Sequence, residues 1–214
     1  MRRPWLAVAA MAWLCAVVSP ALAEDAEARY QTLLAVAKTD TAPVDWAALR
    51  LAYADRPSFN VFGAPGEDAL QRDMRQAIND GDTNHALEMS RKIIAEDYVD
   101  PEAHLVAAAA YDRQGSPSDA AAERRIGQGL VRSIMTVDGT SPATAFNVIT
   151  VKEEYTVIAA MGRHVTEQSL NEIDGHKYDV LETTNEKGEA KSYYFLIDRI
   201  WALESKAFAP RSMN

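Results

Sequence analysis

The stretch EIDGHKYDV, residues 172–180, obliges the chain to turn back on itself. Asp174-Gly175 is a pair that accepts the backbone of a two-residue hairpin turn, and it stands between two strand-length runs, HVTEQSLNEI and HKYDVLETT. A second reversal follows at NEKG, where Gly188 can take positive φ, and it leads into KSYYFLIDR. Three strands joined by two tight reversals form an antiparallel ribbon. Such a ribbon must bury one side against another layer. Pairing Ile173 with His176 and Thr184 with Glu189 puts Ile173, Tyr178, Val180, Tyr193, Phe195 and Ile197 on one face. Gln168, Leu170, Asp179, Leu181, Tyr194 and Leu196 fall on the other. The first face is expected to meet the covering layer, and a one-residue slip would exchange the assignments.

The preceding sequence supplies that layer as helices. AEARYQTLLAVAKT spaces Tyr30, Leu33, Leu34 and Ala37 at helical intervals. In VDWAALRLAYADRP, Asp45 can cap the first turn, Val44 and Leu49 form a hydrophobic staple, and Arg56-Pro57 ends the helix. Phe59 and Phe62, in SFNVFGAPG, read as apolar plugs under a Gly/Pro-rich turn. Asp100-Pro101 and Ser116-Pro117 each combine a capping residue with proline at the first helical position, while Gly81 and Gly115 mark helix ends. Residues 69–135 resemble tetratricopeptide repeats, with Gly81 and Ala86 spaced like Gly115 and Ala120, and with Pro101 and Tyr111 at family-like positions. The match covers about one and a half repeats, so the open face of these helices has to be buried elsewhere. ATAFNVITV reads as a strand, and KEEYTVIAAMG as either a helical turn or a further strand. IWALESKAF extends the sheet edge or closes the fold as a short helix, tethered by Trp201 and Phe208.

The resulting expectation is an α+β fold: an N-terminal helical array with TPR-like helix pairs packed against a C-terminal antiparallel β-sheet. Residues 24–137 form the helical region and residues 138–214 the sheet region, as one compact unit. Residues 1–23 read as a cleaved secretory signal peptide, with Arg2-Arg3, an apolar run from Trp5 to Val18, and Ala21-Leu22-Ala23 before the cut. That reading places the mature protein in the periplasm or outside the cell and leaves it no membrane anchor. Cys15 is the only cysteine and leaves with the leader, which excludes thiolate catalysis, thiol redox chemistry and cysteine-held metal. The net charge of −9, without a basic stripe, disfavours nucleic acid and anionic membrane as partners.

The chain resembles a bacterial family of secreted proteins catalogued as domain-of-unknown-function family 4919. DWAALRLAYADRPSFNVFG, TAFNVITVKEEY and QSL…DGHKYDVLE…YYFLID carry the resemblance, in that order and over almost the whole mature chain. It implies a shared fold and an envelope location. It carries over no catalytic residue.

Polar residues that chemistry could use are Glu153, Glu154 and Tyr155 with Gln168, His176, Tyr178 and Asp179. Two carboxylates can divide acid and base roles, and a histidine can move a proton near neutral pH. The plainer reading makes Glu153-Glu154 a solvated turn, Tyr155 core, and His176-Lys177 a hairpin tip. His164 and His176 could meet across strands, but with four histidines in all and no clustered ligands no metal or cofactor is expected. Three functions follow. The leading expectation is a non-enzymatic module that binds an envelope protein or peptide, or serves structurally, with its groove beside Leu87, Leu105 and Tyr111. The alternatives are a hydrolase built on Glu154, His176 and Asp179, and a small-ligand carrier with an apolar pocket between helices and sheet.

Overall fold

The computed structural model describes residues 20–39 and 43–208, and residues 1–19 of the expected leader lie outside them. Helices α1 (Pro20–Ala37) and α2 (Trp46–Asp55) bury Tyr30, Leu34, Ala37, Leu49 and Ala52 in one apolar cluster. Asp45 caps α2 by accepting the Ala48 N–H at 2.9 Å, and Val44 packs on the cluster that holds Leu49. The helix stops at Asp55 because the residue before Pro57 is held extended.

Two helical hairpins follow, α3 (Glu67–Asp80) with α4 (Thr83–Glu96) and α5 (Pro101–Arg113) with α6 (Pro117–Ile134). Gly81 and Gly115 turn them in the left-handed conformation, and Asp100 accepts the Ala103 N–H at 2.9 Å to cap α5. Ser116 makes no such side-chain bond, so proline alone marks the start of α6. Small residues bring the helices close. Ala107, Ala108 and Ala110 are buried, Gly127 lies against Leu105, and Gly129 of α6 lies against the indole of Trp46. The second hairpin shields its open side by packing α6 on α2 and on α7 (Val151–Ala160).

The sheet is mixed, not wholly antiparallel. Its order is β1 (Phe146–Asn147), β4 (Ala190–Leu196), β3 (His176–Asn185), β2 (Arg163–Ile173), and β1 runs parallel to β4. A parallel pair needs a long crossover, which the intervening α7, β2 and β3 supply. ATAFNVITV thus contributes two strand residues, and KEEYTVIAAMG is helical. The first turn pairs Ile173 with His176 as expected. The second turn is one residue longer than expected, pairing Thr184 with Ala190, because Asn185 Oδ1 accepts the N–H groups of both Lys187 and Glu189.

That extra residue flips β4. Tyr193 and Phe195 lie on the face of Gln168, Leu170, Asp179 and Leu181, and Tyr194 and Leu196 lie on the face of Tyr178 and Val180. The Leu181, Tyr193 and Phe195 side meets Val157 and Ile158 of α7 and Ile134 of α6. Tyr178 is buried on the opposite side, with Tyr194 6.5 Å away between ring centroids. The chain closes with α8 (Asp198–Ala207), held by the buried Ile200; Trp201 and Phe208, the expected tethers, are exposed.

Candidate functional site

Three consecutive residues at the start of α7 each reach a different element. Helical geometry turns successive side chains by about 100°, so Lys152, Glu153 and Glu154 point three ways. All three are wholly or largely buried. Glu153-Glu154 is therefore no solvated turn. Glu153 takes a two-pronged pair from Arg50 of α2, Nε to Oε1 at 2.7 Å and Nη2 to Oε2 at 2.6 Å. The Ile149 N–H also donates to Glu153 at 2.9 Å, and Arg50 donates to the Asn147 carbonyl at 3.2 Å. Both ends of this ion pair are thus saturated, which a buried pair requires.

Lys152 reaches back into the helical array. Its ammonium pairs with Glu67 and stands 3.4 Å from Asp100 and 3.8 Å from Asp97. The three carboxylates have oxygens within 4.8 Å of one another. Local structure accounts for each: Glu67 accepts the Ala64 N–H, Asp97 accepts the Val99 N–H, and Asp100 caps α5 while taking Gln71 Nε2 at 2.6 Å. Burial pushes the Asp97 carboxyl up to about 8, with the Asp100 charge adding and Lys152 opposing. Burial also works against the Lys152 charge, but Asp100, Asp97 and Glu67 outweigh it and hold the amine protonated well above its usual range. The spacing would suit a cation, and Lys152 brings one.

Glu154 faces the sheet. It is fully buried, and no donor reaches either of its oxygens. Burial first, and then the charge of Asp179, raises it to about 9, so Glu154 carries a proton at neutral pH and can offer it to Asp179. Burial raises Asp179 too, while its hydrogen bonds with Gln168 and Glu154 oppose that rise. Gln168 Nε2 donates to Asp179 at 2.7 Å, and the Tyr155 hydroxyl donates to Gln168 Oε1 at 2.6 Å. Tyr155 is 43 % exposed. A single polar chain thus runs from a buried carboxyl pair to the surface.

Tyr155 opens on a cleft of about 990 Å³. Its walls come from the loop at Val61-Phe62, α3, α5, the outer side of α7, the start of β2, and Glu204 of α8. Phe62, Leu105, Val151, Tyr155 and Ala159 give it an apolar lining between helices and sheet, and Lys152 forms part of the wall.

A family model for a domain of unknown function, DUF4919, matches residues 23–206. The chain belongs to this family. No curated protein and no solved structure matches it at a significant level.

In this DUF4919 chain the expected polar set divides. Glu154, Tyr155, Gln168 and Asp179 come together, but His176 does not join them. His176 and Asp179 are odd-spaced on one strand and so face opposite sides of the sheet. The His176 ring bonds instead to Asp198 at 2.6 Å, at the start of α8. His164 pairs in register with Thr184 and His176 with Ile173, at opposite ends of the hairpin, so the two imidazoles do not meet. His104 is a satisfied core residue, 2.5 Å from Glu123 and 2.9 Å from the Tyr98 carbonyl. Leu87 is buried beside Ala107 and Ala110, and Tyr111 packs on that cluster and accepts a bond from Arg91. Only Leu105 of that trio lines the cleft. The Arg50–Glu153 pair and the Lys152 carboxylate group were missed in the sequence. Their one signal was Arg50 lying inside the apolar run of α2.

Proposed function

We propose that this DUF4919 protein is an exported small-ligand-binding protein whose site is the cleft between α3, α5, α7 and β2. One observation carries the reading: exposed large apolar side chains, Phe62, Val151 and Tyr155, gather in a cleft of about 990 Å³. That is the size and position of a typical ligand site, at a helix–sheet junction with charged groups beside an apolar wall. The expected groove on the helix pairs receives less support, since Leu87 is buried. Titration with the neutral fluorophore N-phenyl-1-naphthylamine tests the proposal. Val151→Asp and Tyr155→Ala are expected to weaken binding, while Val137→Asp on a distant exposed loop leaves it intact. Equal binding by all four proteins would remove the cleft from consideration.

A second reading, a hydrolase, is favoured by the Glu154–Asp179 pair. Two neighbouring carboxyls with one proton between them divide into acid and base. The Gln168–Tyr155 link leads from them to the cleft. His176 has no part in this version. Turnover of p-nitrophenyl esters that is abolished in Glu154→Gln and Asp179→Asn, with folding retained, would favour the enzyme over the carrier. No turnover by the parent protein on such esters would count against it.

A further inference from the structure

We infer that the cleft selects cationic amphiphiles, ligands that join an apolar body to a protonated amine; this rests on the cleft being the ligand site. The charged groups lining it are Asp68, Arg75, Glu102, Lys152, Arg163, His164 and Glu204. Three acids, Asp68, Glu102 and Glu204, stand against three cations, Arg75, Lys152 and Arg163, and the acid excess comes from Glu67, Asp97 and Asp100 behind the Lys152 wall. Arg75 is taken by Glu102, with Nε donating to Oε1 at 2.6 Å, and it also feels the charges of Asp68 and Asp100. Lys152 faces three carboxylates behind the wall. Arg163 turns its guanidinium back to the Thr183 hydroxyl at 2.7 Å and to the carbonyls of Thr183 and Glu189. Among the described residues, Asp68 and Glu204 have no salt bridge, and neither is buried.

Phe62 and Tyr155 expose aromatic surface in the same cleft, which attracts cations through their ring faces. Phe208 extends this surface, edge-on to Phe62 with centroids 5.7 Å apart. An anion would meet Asp68 and Glu204 against the single uncancelled charge of Arg163, and a neutral ligand would use only the apolar wall.

Competition against N-phenyl-1-naphthylamine separates these cases. Decyltrimethylammonium, decanol and decyl sulfate, each below its aggregation concentration, share an apolar tail and differ in head-group charge. The cation is expected to displace the fluorophore at about tenfold lower concentration than the alcohol, the scale of one or two solvent-screened charge pairs. Raising salt to about 1 M, where the screening length is about 3 Å, should shrink that advantage. The double variant Asp68→Asn with Glu204→Gln should remove it, judged against that variant's own fluorophore affinity, while Val137→Asp, outside the cleft lining, should keep it. If the fluorophore does not bind, the ligand-site reading itself falls. If it binds and the cation has no advantage, or the sulfate competes better, the site stands and the charge selection is overturned. Unaltered cation preference in the double variant also overturns it.

Discussion

Replacing Glu154 by glutamine should make the protein steadily more stable relative to the parent as pH rises. Glu154 has an ordinary value of 4.5 and is raised to about 9 in the fold. An unfolded chain releases this proton above pH 4.5, whereas the folded chain keeps it until about pH 9. Between those limits the native state binds more protons, so stability falls with rising pH and the loss is complete near pH 9. At pH 7 the penalty spans two and a half pH units, at about 1.4 kcal/mol each, or about 3 kcal/mol. Glutamine has the same shape, no proton to lose, and an Nε2 that can donate to Asp179 as the protonated acid does. One amide group left without a full set of partners would offset about 1–3 kcal/mol of the gain. The expected result is a loss of about 1–3 kcal/mol near pH 4.5, a net gain of about 0–2 kcal/mol at pH 7, and a larger gain at pH 8.5. Urea unfolding at the three pH values would read this as a rise in midpoint at unchanged slope. Asp97, raised to about 8, adds a slope of the same sign to parent and variant alike, so their difference isolates Glu154. A variant less stable than the parent by an amount independent of pH would mean that Glu154 is ionised and paired. The account of the carboxyl pair would then fail.

Three further outcomes follow from the same packing. Glu153→Gln leaves the Arg50 guanidinium buried without its counter-charge and should cost about 3–5 kcal/mol in a urea melt, since removing one partner exposes the other's desolvation penalty. Gly129→Ala ought to destabilise by about 1–3 kcal/mol despite alanine's better helix propensity, because the added Cβ would overlap the Trp46 indole; a stabilised variant would show that α2 and α6 are not in close contact. Lys152→Met removes the cation from Glu67, Asp97 and Asp100, so its thermal midpoint should fall most at high pH and recover as acid neutralises the three carboxylates. A pH-independent loss would contradict that picture.

Most signals that act over a few residues stand in the structure. Asp45 and Asp100 cap helices, Gly81 and Gly115 end them, and Asp174-Gly175 turns β2 into β3. The same logic failed by one residue at NEKG, because the side chain of Asn185 takes over two backbone donors and lengthens the turn. That slip matters far beyond the turn. It leaves Asp179 on the face that carries Tyr193 and Phe195 and meets α7. The error at His176 has a simpler cause: nearness in sequence was taken for nearness in space, and the pleat of a strand opposes the two.

The amino-acid order by itself determined the class of fold, since helical spacing, caps and reversals are short-range properties written in neighbouring residues. It also determined that thiol chemistry is closed to the chain after Cys15. Only the tertiary structure decided what Lys152, Glu153 and Glu154 do, because their partners lie on α2, α3, β3 and the turn before α5, up to 103 positions away in the chain. Burial, not residue type, turns those charges into anchors and one of them into a proton store, and burial is a property of the packed layers.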